Sequence, residues 1–300
     1  MSKATIIDLI VDDNVHTQSM NHIIKQQHIS QRMRRKLRND GIITVNGKPS
    51  TWDTLVHGGD HLVMEIEPQQ SFNLTPMPLD IVYEDEYILV INKAPGVLMH
   101  PTSTVRDGTL ANGVLHYYSE SNQHYDFHPV HRLDKDTSGI VIIAKTSVVQ
   151  NEFDRKHIDF LKTYDAVVEG SVFTDYMSIR WPIGRKPGSI IERQCTLSGK
   201  PARTDITVIN RITTGAPRLQ SHTHVRCLLY TGRTHQIRVH LSHLGFPLAG
   251  DDLYGGHLYC IKRQALHASC VSFHHPLTNE WLELHTPVPA DMKQLIGATD

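Results

Sequence analysis

The sequence predicts an α+β protein in two parts, and three observations carry that reading. Residues 17–66 hold two short helical stretches and then a hairpin signal. Residues 68–80, PQQSFNLTPMPLD, combine prolines with polar residues and show no periodicity, which marks a linker. Beyond them, short apolar runs suited to strands alternate with apolar residues at helical spacing. The expected division is a small domain over 1–68, a linker over 69–80 and a larger domain over 81–300.

The elements follow in chain order. Residues 17–27 read as a short helix, and Ser30 is placed to N-cap a second, in which Met33 and Leu37 share an apolar face four residues apart. Gly41 ends that helix, Ile42 to Val45 form a strand, and Asn46-Gly47 makes a turn that needs positive φ. A second strand runs from His61 to Ile66. In the larger part, Ile81 to Tyr83 and Tyr87 to Ile91 flank a Glu-Asp-Glu turn, and Gly139 to Ala144 is a continuous apolar run suited to a buried strand. Val149, Phe153 and Phe160 have helical spacing, Tyr164 to Glu169 alternates, and Ile237, Leu241 and Leu244 mark a helix ending at Gly245 before Pro247.

Composition bounds the function. The 300 residues are 39% hydrophobic and 20% charged, enough apolar material for packed cores and too much for wholesale disorder. No apolar run approaches a membrane span, and the start, MSKATIIDLIVDDN, lacks the order of a secretory signal, so a cytoplasmic protein without a membrane partner is expected. Four cysteines without a C-x-x-C spacing argue against a disulfide scaffold and a zinc ribbon. Thirty Lys+Arg against 31 Asp+Glu give a net charge of −1, with 21 histidines as a second oddity. Near-neutrality would count against nucleic acid, but it hides a local block. Asn14 to Asn39 contain no acid while holding Lys25, Arg32, Arg34, Arg35, Lys36 and Arg38. Such a block is either a solvated helix face or a phosphate-binding surface.

Two stretches concentrate polar chemistry. His131-Arg132-Leu133-Asp134-Lys135-Asp136-Thr137-Ser138-Gly139 sets a carboxylate, guanidinium and hydroxyls just before the buried strand; the plainer alternative is an Asx-type turn. Thr231 to His240, TGRTHQIRVH, sets Arg233 just before a helix that Thr234 is placed to cap. Arg233 there either pairs with a carboxylate from another loop, orienting it and lowering its pKa, or binds a neighbouring carbonyl.

These residues carry two resemblances. ISQRMRRKLRNDGIITVNGKP with HGGDHLVMEI resembles the S4 RNA-binding domain, although the first helix lacks the Arg-Leu-Asp opening common there. HRLDKDTSGIVIIAKT, KTYDAVVEG, TGRTHQIRVHLSHLGFPLAGDDLYG and LHASCVSFHHP resemble the RluA-type pseudouridine synthases, from about Ile81 to Met292. The stretch Asn92-Lys93-Ala94-Pro95-Gly96 with His100-Pro101 is a weaker match, with Lys93-Ala94 where the family has Lys-Pro. Lys93 and His100 are read there as structural or RNA-contacting. Gly199 to Thr204, GKPART, also fits the family, as a turn and strand at the RNA surface.

The second resemblance implies a mixed, mainly antiparallel catalytic domain and an isomerase that turns uridine in RNA into pseudouridine without metal or organic cofactor. Asp134 would be the catalytic aspartate, as nucleophile or as base at the ribose, with Tyr164 packing against the uracil and assisting proton removal at C5, and Arg233 pairing with Asp134. Arg132 would fill the gap left by the flipped base, and His131, Thr137 and Ile237 would complete the substrate site. The S4 resemblance assigns Arg32, Arg34, Arg35, Lys36, Arg38 and Lys48 to RNA. The partner expected is structured RNA, first large-subunit ribosomal RNA and second transfer RNA, bound by a monomer. A non-catalytic RNA-binding or ribosome-assembly factor on the same fold is the alternative from another class. A glycoside hydrolase is disfavoured because no second carboxylate stands out. Metal binding by His222 and His224, by His274 and His275, or by His235, His240 and His243 is not expected, since no Cys or Glu-x-x-His spacing accompanies them.

Overall fold

The computed structural model describes residues 4–27, 29, 31–66, 72–155, 160–212 and 221–297. The first elements are β1 (Ala4–Ile10), β2 (Gln18–Ser19), α1 (Met20–Gln26), α2 (Gln31–Asp40), β3 (Ile42–Val45), β4 (Lys48–Pro49), β5 (Leu55–Val56) and β6 (His61–Ile66). Four of the strands form a sheet in the order β1-β6-β3-β4, and β2 pairs with β5. Helix α1 starts where Ser19 is extended and its hydroxyl accepts the His22 N–H. It buries Met20, Ile23 and Ile24 in a core shared with Leu37, Leu62, Met64 and Ile66. Residue Ser30 lies outside the described residues. Helix α2 ends at Gly41, where a β-carbon would meet the Leu37 carbonyl oxygen at 2.4 Å. The turn after β3 has the positive φ expected, 51° at Asn46 and 74° at Gly47. Asn46 fastens it by donating to Asp60 and accepting the His61 N–H. Strand β1, paired antiparallel with β6, is an element the sequence reading lacked.

Residues 72–79 contain no helix or strand, and they are strapped onto the larger part. Phe72 and Leu79 pack on its core, and the Asn112 side chain donates to the Asn73 carbonyl. The remaining elements are β7 (Asp80–Glu84), β8 (Ile88–Lys93), α3 (Leu110–Glu120), β9 (His128–Pro129), β10 (Ser138–Ala144), α4 (Ser147–Arg155), β11 (Leu161–Glu169), β12 (Tyr176–Ile179), β13 (Ile183–Arg185), β14 (Arg193–Cys195), β15 (Thr204–Ile212), β16 (His222–Leu229), α5 (Gln236–His243), β17 (Leu266–His274), β18 (Trp281–His285) and α6 (Ala290–Ile296). Among the described residues, one large sheet runs β12-β15-β16-β11-β17-β10-β8-β7, with β18 on β17 and β9 on β10. Its pairings are antiparallel except for β10 with β17, where Ser138 meets His267 and Gly139 meets Ala268.

Strand β10 is buried along its whole length because both faces of the sheet are covered. Val141 and Ile143 face a core that includes Val114 and Tyr118 of α3; Ile140 and Ile142 face one that includes Val149 and Phe153 of α4. The same coverage overrides the alternation expected in β11, where Tyr164 through Glu169 are all buried. Phe160 is outside α4 but stacks on Phe153 at 5.1 Å, so its apolar spacing reflects packing and not helix. Among the described residues, no helix is long and apolar enough to cross a membrane.

Candidate active site

The turn between β9 and β10 is the first wall of the site. Leu133 is buried and anchors it, while Asp134 keeps its side chain 24% exposed. The Thr137 N–H closes the turn on the Asp134 carbonyl at 3.2 Å. Lys93 holds the turn from below: it is fully buried and donates to the carbonyls of Ala94, Val97 and Lys135. Burial lowers its pKa to about 8, against the nearby charges of Asp136 and Asp134. Lys93 is therefore a tie between two loops, in line with its structural reading. Gly139 at the end of the turn has φ 113°, and a β-carbon there would meet the Ala268 carbonyl oxygen at 2.3 Å. The parallel contact with β17 thus requires glycine.

The second wall is β11, where a bulge between Thr163 and Tyr164 shifts the register against β17. Such bulges re-aim a side chain. Tyr164 is buried and lines the cleft with Asp134. Burial and then the Asp134 charge push its phenol pKa well up, so it is a neutral phenol at physiological pH.

The third wall is the start of α5. Arg238 is buried between Ile237 and Val239 and forks onto Asp251, Nε to Oδ2 at 2.7 Å and Nη2 to Oδ1 at 2.8 Å. Its remaining nitrogen, Nη1, donates to Asp134 Oδ2 at 3.1 Å, and its guanidinium lies 5.0 Å from the centre of the Tyr254 ring. Burial works against the Arg238 charge, but hydrogen bonding and charge from Asp251 and Asp134 outweigh it and raise its pKa. Gln236 stitches this wall together: it accepts from Thr231 and from the Arg233 N–H and donates to the Arg203 carbonyl and Thr204.

Six of the residues expected at the site, Arg132, Asp134, Thr137, Tyr164, Arg233 and Ile237, line one cleft. Three expectations need correction. The arginine paired with Asp134 is Arg238, because the turn closed by Gln236 directs Arg233 Nε to the Pro201 carbonyl at 2.9 Å. The residue before α5 is His235 in the left-handed region, and not Thr234, so the helix begins later than a Thr234 cap requires. His131 does not line the cleft; its ring turns inward, accepting the Ile142 N–H and lying 6.4 Å from Phe160, and burial lowers its pKa to about 3.

Arg238, Asp251, Tyr254 and His235 were missed as individual site residues. A charged residue between two apolar ones on a helix, followed by Gly250-Asp251-Asp252, was the available signal. Of the residues expected to touch RNA, Arg35, Arg38 and Lys48 are exposed, Arg34 and Lys36 are placed on the same elements, and the Arg32 side chain lies outside the described residues. Arg38 also lies over the Trp52 ring at 5.1 Å. For metal, the described residues bring together Cys270, Glu283 and His285, a trio absent from the sequence reading; Glu283 and His285 are more than half exposed and already bond to each other at 2.9 Å.

The chain is similar to known proteins over most of its length. A family model described as RNA pseudouridylate synthase matches residues 87–243. The uncharacterised RNA pseudouridine synthase YjbO of Bacillus subtilis is 41% identical over 263 residues, covering 85% of this chain and 90% of that protein. The ribosomal large subunit pseudouridine synthase D of Vibrio parahaemolyticus is 38% identical over 278 residues, covering 86% of this chain and 83% of that one. Among solved structures, the human RNA pseudouridylate synthase domain containing 1 superposes with a TM-score of 0.59 at 26% identity, covering 75% of this chain and 96% of that chain. With the mixed, mainly antiparallel sheet and the cleft between its loops, these matches establish that the chain belongs to the RNA pseudouridylate synthase family, isomerases that act on uridine in RNA.

Proposed function

We propose that this enzyme isomerises uridines of large-subunit ribosomal RNA, with Asp134 as its catalytic aspartate. The observation that carries the proposal is the Arg238–Asp134 pair facing Tyr164 in one cleft. In the reaction the uracil N1–C1′ bond breaks, a C5–C1′ bond forms, and the C5 proton leaves while N1 gains one. No atom is lost overall. A ribose carbon developing positive charge needs a carboxylate beside it, and buried Arg238 fixes one oxygen of Asp134 in place. A neutral Tyr164 supplies a flat face for the uracil. Its raised pKa argues against tyrosinate as the base at C5. A stacked uridine must leave the helix to enter, at about a few kcal/mol of unstacking, and exposed Arg132 at the rim is placed to stack in the gap. Arg233, on its carbonyl tether at the mouth, is assigned to the RNA strand.

Ribosomal RNA is favoured because relatives at 37–38% identity are named ribosomal large subunit pseudouridine synthase D. The unit spanning 1–68 is proposed to be an S4-like RNA-binding domain, joined through 69–80 to a catalytic domain over 81–300. Its support is the order of α1, α2 and the β3–β4 hairpin, with Arg34, Arg35, Lys36, Arg38 and Lys48 on them. A monomer acting in the cytoplasm completes the proposal.

Asp134→Asn should abolish release of tritium from C5-labelled RNA while leaving RNA affinity within a few-fold of wild type. Substantial turnover by that variant would remove Asp134 from the mechanism. Pseudouridine mapping in cells lacking the gene, restored with wild type or Asp134→Asn, identifies the target. Loss of a transfer-RNA site alone would replace ribosomal RNA as the substrate.

A further inference from the structure

His235 combines strain, an unused capping position and a directed hydrogen-bond chain. Its φ of 57° and ψ of 24° are left-handed, a backbone that costs a residue with a β-carbon about 1 kcal/mol or more. It precedes α5 in the N-cap position, yet its side chain caps nothing. Instead the ring spans two groups of the site: Nδ1 is 2.7 Å from the Tyr254 hydroxyl, and Nε2 is 3.7 Å from Asp134 Oδ1. The ring also meets Tyr254 edge-on, with centroids 5.6 Å apart.

One tautomer serves both contacts. The Tyr254 oxygen accepts the backbone Arg193 N–H at 2.9 Å, and with its own proton on the bond to His235 Nδ1 the imidazole proton stands on Nε2, facing the carboxylate oxygen that Arg238 does not hold. We infer that His235 is a positioning residue for Asp134: as a neutral imidazole it closes onto Oδ1 when RNA displaces water from the cleft, so that Arg238 fixes one carboxylate oxygen and His235 the other. The inference rests on Asp134 being the catalytic aspartate. Catalytic hydrogen bonds that are long in a free enzyme commonly tighten in its substrate complex, and 3.7 Å is a gap of that kind.

Neutrality is part of the device. A second cation against Asp134 would stabilise the carboxylate further and weaken it as nucleophile or base. Burial lowers the His235 pKa; Asp134 and Asp251 pull it up, while Arg238 and Arg193 push it down. Tyr254, the remaining group on the ring, adds to the neutral form by occupying Nδ1 as a donor.

The test uses full-length protein on a saturating RNA substrate. His235→Ala should lower kcat on the order of 10- to 100-fold with KM little changed, the scale of a small misplacement of a reacting group. His235→Gln, whose amide N–H can stand where Nε2–H does, should recover most of that loss. Tyr254→Phe frees Nδ1 to take a proton, so the acid limb of its kcat profile should move to higher pH. Nitrogen-15 NMR of histidine-labelled protein should show His235 protonated at Nε2, a readout that does not depend on turnover. Wild-type kcat in His235→Ala with an inactive Asp134→Asn overturns the role of His235 alone, whereas an active Asp134→Asn overturns the catalytic reading beneath it. Equal impairment of the Ala and Gln variants with an unshifted Tyr254→Phe profile, or an Nδ1-protonated ring, also overturns the inference. Should the Ala variant fail to fold, the Tyr254→Phe profile and the NMR tautomer decide.

Discussion

Arg238 satisfies two carboxylates with one guanidinium, and the two contacts have different consequences. The fork onto fully buried Asp251 is structural, because removing the arginine leaves an uncompensated charge in the interior, a loss of about 3–5 kcal/mol in comparable pairs. The single contact to Asp134 is the one the proposed mechanism uses. Arg238→Lys separates them, since an ammonium keeps the charge but cannot fork. It should reduce single-turnover rates about 100-fold while the protein still folds. Arg233→Ala, which removes the guanidinium held by the Pro201 carbonyl, should change those rates less than about tenfold and weaken RNA binding instead. Rapid-quench measurements of both variants on one RNA check the ordering; a larger loss in Arg233→Ala would return the catalytic pairing to Arg233.

At the scale of elements, the site depends on where β10 meets β17. Gly139→Ala places a methyl against the Ala268 backbone at a φ that side chains disfavour. Strain of about 1–3 kcal/mol from the dihedral and a similar amount from the clash should lower stability by about 3 kcal/mol or more. Urea unfolding of the variant measures this, with activity falling in parallel because the turn carries Asp134. Strand β10, the Asn46-Gly47 turn and the end of α5 near Gly245 were legible because each is written in contiguous residues: an apolar run, a turn dipeptide, a spacing of four. Strand β1 was not, since it is defined by pairing with β6 some fifty residues later and is interrupted by a register shift between Thr5 and Ile7. Six of the motif residues line one cleft, but the motifs pointed to Arg233 where the structure pairs Arg238 with Asp134. That choice turns on the left-handed residue at 235, which sets the helix start and so the direction of each arginine.

On the scale of the whole molecule, the near-zero net charge is a sum over unlike regions. The cationic residues of α2 and the β3–β4 hairpin include exposed Arg35, Arg38 and Lys48. Replacing Arg34, Arg35 and Arg38 together by Gln should make the dependence of log affinity on log salt shallower, by about one unit of slope for each phosphate those arginines neutralise. An unchanged slope in filter binding would place the RNA elsewhere.

Part of the histidine surplus is internal. His224 pairs with buried Asp165, His240 bridges Thr204 and the Trp181 carbonyl, and His267 bridges Ser138 and Thr286. Burial lowers the His267 pKa to about 4 and the His131 pKa to about 3. Both are depressed from about 6.5 in the unfolded chain, where the unfolded state therefore binds more protons. Their contribution to stability is complete above pH 6.5 and is lost as pH falls towards 4 and 3, at up to about 1.4 kcal/mol per pH unit for each. Denaturant titrations should show stability declining between about pH 6.5 and 5, before carboxylates with their ordinary pKa near 4 titrate. A flat profile there would mean that these rings accept protons without unfolding.

The parallel contact of Ser138 and Gly139 with His267 and Ala268 also sets when the enzyme can first work. The strand that seats the Asp134 turn emerges from the ribosome more than a hundred residues after the turn itself, and the arginine paired with Asp134 about thirty residues before that strand. Chains cut short before residue 268 lack the strand against which the turn is seated. The cleft is therefore complete only when nearly the whole chain is available to fold.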